Sequence, residues 1–248
     1  MDGPKKDHEY ARGLTEAERE RKWPNVRPRN AATLILLDRK GKEAKVLMGK
    51  RHEGHKFMPG KFVFPGGRIE SADRLAPFCA PLPAMVEEKL LKRRVKPAAS
   101  RPRALALAAI RETFEETGLL LGRKQGAARA PAGPWADFVG HGVTPDLSGV
   151  SFIARAITPP KRPKRFDTTF LSMDATAIAE RIEGVVTPSS ELVELVWVPL
   201  KDAQALDLPH ITRVVLKELD ARSAQGMGHE LPVPFYFERN RQWFREEL

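Results

Sequence analysis

Residues 111–119 of the sequence read Arg-Glu-Thr-Phe-Glu-Glu-Thr-Gly-Leu, and they are its most informative segment. It ends the most helix-like segment of the chain, which the sequence predicts over 102–117. Pro102 suits the first turn of a helix, and Gly118 suits the position just after the last turn. A single helix therefore carries the acidic residues of this stretch.

Three carboxylates share one face of the predicted helix. Glu115 and Glu116 follow Glu112 by three and four positions, which places them one turn along on the same side. On a solvated surface their repulsion costs only about 0.2–0.5 kcal/mol per pair, whereas in a cleft it is much larger and requires cations. Hard divalent ions such as Mg²⁺ and Mn²⁺ prefer carboxylate oxygens, so a metal site and a solvated acidic face are the two interpretations.

A diglycine segment precedes this helix and favours the metal site. Phe64-Pro65-Gly66-Gly67 follows a short predicted strand, Lys61–Phe64. Paired glycines allow a tight turn and let the backbone approach a ligand closely. An ordinary turn would explain the glycines alone, but the combination with the acidic helix is more informative.

Together these residues resemble the Nudix signature, G-x5-E-x7-R-E-U-x-E-E-x-G-U, in which U is a bulky aliphatic residue. Gly67 matches the first glycine. The second half of the signature is matched in register by Arg111, Glu112, Glu115, Glu116, Gly118 and Leu119. Two positions differ, because Asp73 stands where the family has Glu and Thr113 stands at the first aliphatic position.

The spacing also differs from the ordinary signature. Thirty-seven residues separate Asp73 from Arg111, where the signature has seven. The excess matches a segment rich in Pro and Ala, 74–103, in which 85–95 predicts a helix. A signature divided by an insertion (a divided box) resembles that of the coenzyme A diphosphatase-like branch of the family. The stretches 157–160 (Ile-Thr-Pro-Pro) and 165–168 (Arg-Phe-Asp-Thr) also resemble that branch.

The remaining pattern predicts an α+β fold, because strands and helices do not alternate regularly. Further strands are predicted over 31–38, 44–51, 150–157, 166–173 and 192–199, the first two as a hairpin, and further helices over 175–182 and 210–222. The resemblance implies a Nudix-like α/β/α sandwich with a mixed β-sheet. We expect a charged N-terminal arm (1–29), a Nudix hydrolase domain (30–205, with the insert 74–103) and a C-terminal helical extension packed on the domain (206–248).

The resemblance also implies a role for each matched residue. The expected ligands of Mg²⁺ or Mn²⁺ are Glu112, Glu115, Glu116 and the carbonyl of Gly67. Arg111 is expected to orient a carboxylate, with Asp73 as its partner. The candidates for the catalytic base are Glu112 and Glu191, and those for substrate binding are Arg51, Arg165 and Gly66.

The implied activity is hydrolysis of the diphosphate linkage in a nucleoside-diphosphate-linked compound. Coenzyme A or an acyl-CoA is the leading substrate, and ADP-ribose, NADH and related compounds are alternatives. A catalytically inactive module that binds a nucleotide or RNA is the competing class. It is disfavoured by the complete carboxylate set and by an aromatic content of only 7%.

The composition sets the remaining expectations. The net charge of +10 fits anionic partners or a surface tuned for solubility. A single cysteine, Cys79, cannot form an internal disulfide, and neither a signal sequence nor an apolar run of membrane-spanning length is visible, so we expect a cytoplasmic location. We expect a small-molecule substrate and no stable nucleic-acid complex. A homodimer stays open, as do three roles for the insert: covering the site, forming a dimer contact, or reaching a membrane through Lys92-Arg93-Arg94.

Overall fold

The structure is a computed structural model that describes residues 4–55, 58–95, 97–126 and 128–248. The α-helices are α1 (His8–Arg12), α2 (Glu16–Arg19), α3 (Ala84–Leu91), α4 (Arg101–Thr117), α5 (Pro134–Gly140) and α6 (His210–Ala224). The strands are β1 (Lys5–Lys6), β2 (Arg29–Asp38), β3 (Lys45–Arg51), β4 (Phe62–Val63), β5 (Gly66–Arg68), β6 (Leu119–Leu121), β7 (Arg123–Lys124), β8 (Val143–Thr144), β9 (Ser151–Ile157), β10 (Phe166–Asp174), β11 (Ile178–Arg181), β12 (Leu192–Pro199), β13 (Pro234–Arg239) and β14 (Gln242–Glu247). Single 3-10 turns lie at Ala72–Arg74, Ala175–Ala177 and Ala203–Ala205.

The main sheet is mixed, as predicted. Its strand order is β1-β14-β13-β9-β10-β2-β3-β12, with β4 paired to β3 and β5 paired to β2. The β10–β2 and β13–β9 pairs are parallel, whereas the β2–β3 hairpin is antiparallel. The short strand β5 pairs with the beginning of β2, which places the diglycine segment within the sheet.

Helices cover both faces of this sheet because side chains along β2 alternate between them. Leu34 and Leu36 pack in a core cluster with α3, α4 and α5. Ile35 and Leu37 pack in a second cluster on the opposite face, together with α1 and α6. The predicted α/β/α sandwich is therefore confirmed.

Helix α4 is the central helix of the first layer. It is buried on nearly every side, as its run of Ala, Leu and Ile residues over 104–110 predicts. The helix ends at Gly118, which adopts φ +74° and donates its backbone N–H to the carbonyl of Phe114. A residue with a side chain is strained at that φ, so the glycine fixes the end of the helix.

The predicted helix over 175–182 is wrong. The chain forms only the 3-10 turn Ala175–Ala177, in which the Asp174 side chain accepts a hydrogen bond from the Thr176 N–H. The next residues form β11, which pairs with β6 directly after α4. The hydrogen bonds between β11 and β6 stabilise the extended conformation more than local propensity stabilises a helix here.

The insert contains its predicted helix, but the helix is shorter than expected. Helix α3 ends at Leu91 rather than near residue 95, and Arg93 adopts φ +55°. This turn directs Arg94 into the fold, where its guanidinium is buried and bonded to Asp167 on β10. The suggested membrane contact through Lys92-Arg93-Arg94 is therefore wrong for Arg94.

Both ends of the chain differ from their expected simple forms. The C-terminal extension is helical only in α6, because its last two strands, β13 and β14, extend the main sheet. The apolar side chains of 235–237 explain this, since they pack in the two cores.

The N-terminal arm includes β1, α1 and α2, and buries Tyr10 against Tyr236 and Trp243. No helix in the described part of the chain has both the length and the apolarity needed to cross a membrane.

Candidate functional site

The site is formed where the acidic end of α4 meets the diglycine strand β5. The backbone N–H of Gly66 donates to Glu116 Oε2 at 3.0 Å. A Cβ atom placed on Gly67 would lie 2.3 Å from Glu112 Oε1, so the Glu112 carboxylate lies directly over this glycine. The structure thus joins two segments that are separated by the insert in sequence.

Arg111 organises the acidic side chains from the interior. Its Nε and Nη2 atoms donate to the two carboxylate oxygens of Asp73, at 2.8 and 3.2 Å. Its Nη1 atom donates to Glu112 Oε1 at 3.1 Å and to Glu115 Oε2 at 2.8 Å. Its Nη2 atom also donates to the Arg68 carbonyl at 2.9 Å, which ties α4 to β5. Arg111 therefore fixes both the carboxylates and the strand beneath them.

Asp73 makes the pairing expected at its position, although it is one methylene shorter than Glu. It is fully buried in the 3-10 turn Ala72–Arg74 and also accepts hydrogen bonds from the Glu70 N–H and from Trp135 Nε1. Sequence reasoning missed Trp135 as part of this network. Its available signal was a lone Trp in a polar connection, which by itself does not identify a partner.

Glu191 and Arg51 approach the site from the edge formed by β3 and β12. Arg51 Nη2 lies 2.9 Å from Glu191 Oε1 and 3.0 Å from His55 Nδ1. Burial is the main cause of the raised pKa of Glu112 and Glu116; the charge of Glu191 adds to it and Arg51 lowers the pKa of Glu116, so both charges lie near the α4 carboxylates. Within the described residues, the Nε atom of Arg51 is buried and has no acceptor. The structure brings these predicted residues together with α4, and it adds His55, which the sequence did not suggest.

The carboxylates of α4 carry raised pKa values. Burial, opposed by Arg111, raises the pKa of Glu112 to about 7, and the charges of Glu115 and Glu191 add to the effect. Burial also raises the pKa of Glu115, and it raises the pKa of Glu116 well above the ordinary value. The charged forms of these acids are therefore costly without an additional cation.

A divalent cation fits this site chemically. Carboxylate oxygens are the ligands that Mg²⁺ and Mn²⁺ prefer, and the absence of a side chain at Gly67 lets the Glu112 carboxylate lie directly against the backbone of β5. In the ranges that the structure describes, no three His, Cys, Asp or Glu side chains already surround one point. Glu112 and Glu115 each use one carboxylate oxygen to accept a hydrogen bond from Arg111, which leaves the second oxygen of each side chain available as a ligand.

Arg165 lies in a different setting from the other predicted site residues. Its Nε donates to the Thr158 carbonyl, and its Nη1 donates to Asn25 Oδ1 and to the Val26 carbonyl. The structure gives Arg165 a role in holding the N-terminal arm. Its contact with substrate remains a prediction, as does metal binding by the Gly67 carbonyl.

Thr113 explains how the chain tolerates a departure from the signature. It is fully buried, and its hydroxyl donates to the carbonyl of Ala109 at 2.7 Å. This bond satisfies the hydroxyl within the helix, as Thr commonly does in helices. A polar residue can therefore occupy the usual aliphatic position without an unpaired buried group.

Comparison with solved structures places this geometry in a family. A NUDIX hydrolase from Alicyclobacillus acidocaldarius is 30% identical and superposes with a TM-score of 0.57, covering 79% of this chain and 92% of that chain. The Nudix hydrolase RenU from M. smegmatis is 17% identical over 80% of this chain and 88% of its own, with a TM-score of 0.42. The MutT protein from Methanosarcina mazei Go1 is 15% identical over 80% of this chain and 99% of its own, with a TM-score of 0.43.

No protein-family model matches the sequence. The insert lengthens the spacing within the signature by thirty residues, yet the two halves meet in the fold. The acidic helix, the diglycine strand and the 30% identity across almost the whole A. acidocaldarius enzyme agree with one another. This chain therefore belongs to the Nudix hydrolases.

Proposed function

We propose that the protein is a metal-dependent diphosphatase that cleaves the diphosphate linkage of a nucleoside-diphosphate-linked compound. The proposal depends on one observation, which is the packing of Glu112 and Glu116 against the diglycine strand. This packing brings carboxylates, the groups that Mg²⁺ and Mn²⁺ prefer as ligands, against a backbone segment without side chains. A nucleotide diphosphate supplies the phosphate oxygens that such a cation would share.

The leading substrate is coenzyme A or an acyl-CoA. The divided box and the stretches 157–160 and 165–168 support this choice. ADP-ribose, NADH and other nucleoside-diphosphate compounds are the alternatives, because the metal-binding residues recognise the diphosphate and not the group beyond it.

The metal ligands proposed are Glu112, Glu115, Glu116 and the Gly67 carbonyl, with Mg²⁺ or Mn²⁺ as the ion. When bound, such an ion lowers the pKa of a water molecule and neutralises charge on the phosphate oxygens. The protein's own part is positional. Arg111 and Asp73 hold α4 against β5, and Arg51, at the end of β3, provides a further positive charge near Glu116.

Two carboxylates are candidates for accepting the proton of the attacking water. Glu112 has a pKa near 7 and lies over Gly67, where a phosphate would approach. Glu191 is held by Arg51 and faces the same acids from the opposite edge. Separate Glu112→Gln and Glu191→Gln variants distinguish them. In the unchanged enzyme kcat should rise with pH as the base loses its proton, and this rise should disappear in the variant that lacks the base.

The decisive experiment is a hydrolysis panel with Mg²⁺ or Mn²⁺, in which mass spectrometry identifies the products. We expect cleavage of coenzyme A species between the two phosphates. The Glu116→Gln variant should lose at least about 100-fold in kcat/KM, because loss of a ligand exceeds the usual effect of an outer-sphere change.

The matched control is Glu183→Gln, since the side chain of Glu183 is 79% exposed. It should retain full activity. Absence of cleavage across the panel would refute the proposal. Tight nucleotide or RNA binding without turnover would instead support the inactive binding module.

A further inference from the structure

A large basic groove adjoins the proposed site and has no role in the diphosphate chemistry. It has a volume of about 820 Å³, within the range of pockets that hold a nucleotide-sized ligand. It is lined by four stretches that are distant in sequence, namely 27–30, 68–74, 93–95 and 101–104, and by part of β9 and β10. The arm, the diglycine strand and the insert therefore all contribute to one surface.

The lining is dominated by arginines, of which only Arg93, Arg94 and Arg155 are paired with carboxylates in the part of the chain that the structure describes. Among the described residues, five of them make no side-chain hydrogen bond or ion pair: Arg27, Arg29, Arg68, Arg74 and Arg101. The lining acids are Asp167 and Glu70, and Asp167 is already bonded to Arg94 and Arg155. The groove thus carries an uncompensated positive charge.

The position of Arg101 is unfavourable for the helix that carries it. It occupies the first residue of α4, whose first turn contains no acidic residue. A cation at a helix N-terminus opposes the helix dipole. Its charge also acts on the groove floor, where burial, together with Arg155 and Arg101, lowers the pKa of Arg94 to about 10 against the effect of Asp167. Helix stability therefore does not account for this arginine, whereas binding of an anion does.

The groove is continuous with the proposed site. Arg68 directly follows Gly67, and its carbonyl accepts the hydrogen bond from Arg111. Glu70 lines the groove and also contributes to the raised pKa of Glu115. One ligand of nucleotide size can therefore place its diphosphate at the carboxylates and its remote end among the arginines.

We propose that this arginine groove binds a phosphomonoester of the substrate that lies outside the cleaved diphosphate. This inference rests on the proposed function and narrows it, because it selects substrates that carry a further phosphate on the nucleoside. Guanidinium groups suit this ligand, since they form paired hydrogen bonds to phosphate oxygens.

The first test measures binding and needs no turnover. Calorimetry compares adenosine 3′,5′-bisphosphate with adenosine 5′-monophosphate, which differ by the additional phosphate alone. The intact protein should bind the bisphosphate about tenfold more tightly. Arg101→Gln and Arg74→Gln should each reduce this preference to about threefold or less, without weakening the monophosphate.

A charge-matched control is Lys42→Gln, in the exposed turn between β2 and β3. It should leave the preference unchanged. Equal affinity of the intact protein for the two nucleotides would overturn the inference, as would arginine variants that weaken both nucleotides equally.

The second test compares hydrolysis of coenzyme A with that of 3′-dephospho-coenzyme A. The ratio of kcat/KM should favour coenzyme A by about tenfold and should fall in Arg101→Gln. An arginine-dependent binding preference without any hydrolysis would support the groove and refute the diphosphatase. Hydrolysis with no preference for the additional phosphate would support the diphosphatase and refute the groove.

Discussion

At the scale of single residues, Asp73 shows that a carboxylate one methylene shorter than Glu can still complete the pair with Arg111. The family signature has Glu at this position, and the missing methylene would ordinarily withdraw the carboxylate from Arg111. Here Asp73 lies buried in the 3-10 turn Ala72–Arg74, and its carboxylate still reaches Nε of Arg111 at 2.8 Å. Trp135 then occupies one of its remaining acceptor positions. A pair that looks altered in sequence is thus complete in the fold.

The Asp73→Asn variant tests this interpretation. It retains the shape but removes the negative charge from a pair whose side chains are 0% and 2% exposed. Arg111 keeps its bonds to Glu112 and Glu115 but loses its most buried charged partner, so the free energy of unfolding should fall by about 1–3 kcal/mol in urea titrations.

Asp137→Asn provides the control, because the Asp137 side chain is 71% exposed. It should change the unfolding free energy by less than about 0.5 kcal/mol. Similar stability of the two variants would show that the Arg111–Asp73 pair does not stabilise the fold.

At the scale of elements, the site depends on how closely α4 approaches β5. The two adjacent glycines contribute differently to this approach. A Cβ on Gly66 would lie 2.6 Å from the backbone of β2, at the carbonyl oxygen of Ala32. A Cβ on Gly67 would instead meet the end of the Glu112 side chain. Gly66 therefore allows β5 to pack closely on β2, whereas Gly67 allows the Glu112 carboxylate to lie against β5.

Alanine substitutions should separate these two contributions. Gly67→Ala should keep a melting temperature close to that of the unchanged protein and lose about 100-fold in kcat/KM, because Glu112 must move. Gly66→Ala should lower the melting temperature, since backbone atoms cannot yield as a side chain does.

Gly149→Ala is the appropriate control, because nothing lies within 4 Å of a Cβ at that position. It should change neither quantity. A fully active Gly67→Ala variant would contradict the proposed position of Glu112. Differential scanning fluorimetry and steady-state kinetics measure both effects.

At the scale of the whole molecule, the insert is integrated with the sheet and with the C-terminal extension. Arg94 bonds to Asp167 and Thr169 on β10, and Arg155 on β9 bonds to the same Asp167. Lys89 on α3 donates to three carbonyls of the segment 229–231. These contacts hold the insert beside the groove. They lie within the fold and do not support a role for the insert in membrane binding or dimer formation.

The Asp167→Asn substitution should weaken the pH dependence of the free energy of unfolding in the acidic range. Burial alone raises the pKa of Asp167, but the bonds from Arg155 and Arg94 outweigh it and hold the pKa below its ordinary value. A lowered carboxyl pKa contributes stability above the unfolded value of about 3.9, and this contribution is lost as the pH falls through the folded value.

The variant should therefore be about 3–5 kcal/mol less stable than the unchanged protein at pH 7, because Arg94 and Arg155 become unpaired in the interior. The difference should narrow as the pH falls below about 4. Urea titrations at several pH values measure it, with the 68% exposed Asp207 as the site of the control Asp207→Asn. A difference that does not change with pH would show that the Asp167 charge contributes nothing.

Much of the architecture was predictable because it depends on local patterns. The aliphatic stretch that forms β2, the helix that ends before Gly118 and the β2–β3 hairpin all appear where the sequence predicts them. The predicted helix over 175–182 was wrong because the structure of this segment depends on a non-local contact. Its strand β11 pairs with β6, which the local pattern does not reveal.

The acidic helix, the glycines and the family they indicate could be predicted from the sequence, because they depend on residue type and on spacing along a helix. Three features became visible only in the folded chain: the diglycine strand meets Glu112 and Glu116 across the insert, Trp135 bonds to Asp73, and distant arginines share one groove. These features depend on packing, because a buried charge is stabilised by whichever partners the fold brings within hydrogen-bond distance. Separation along the chain does not determine those partners.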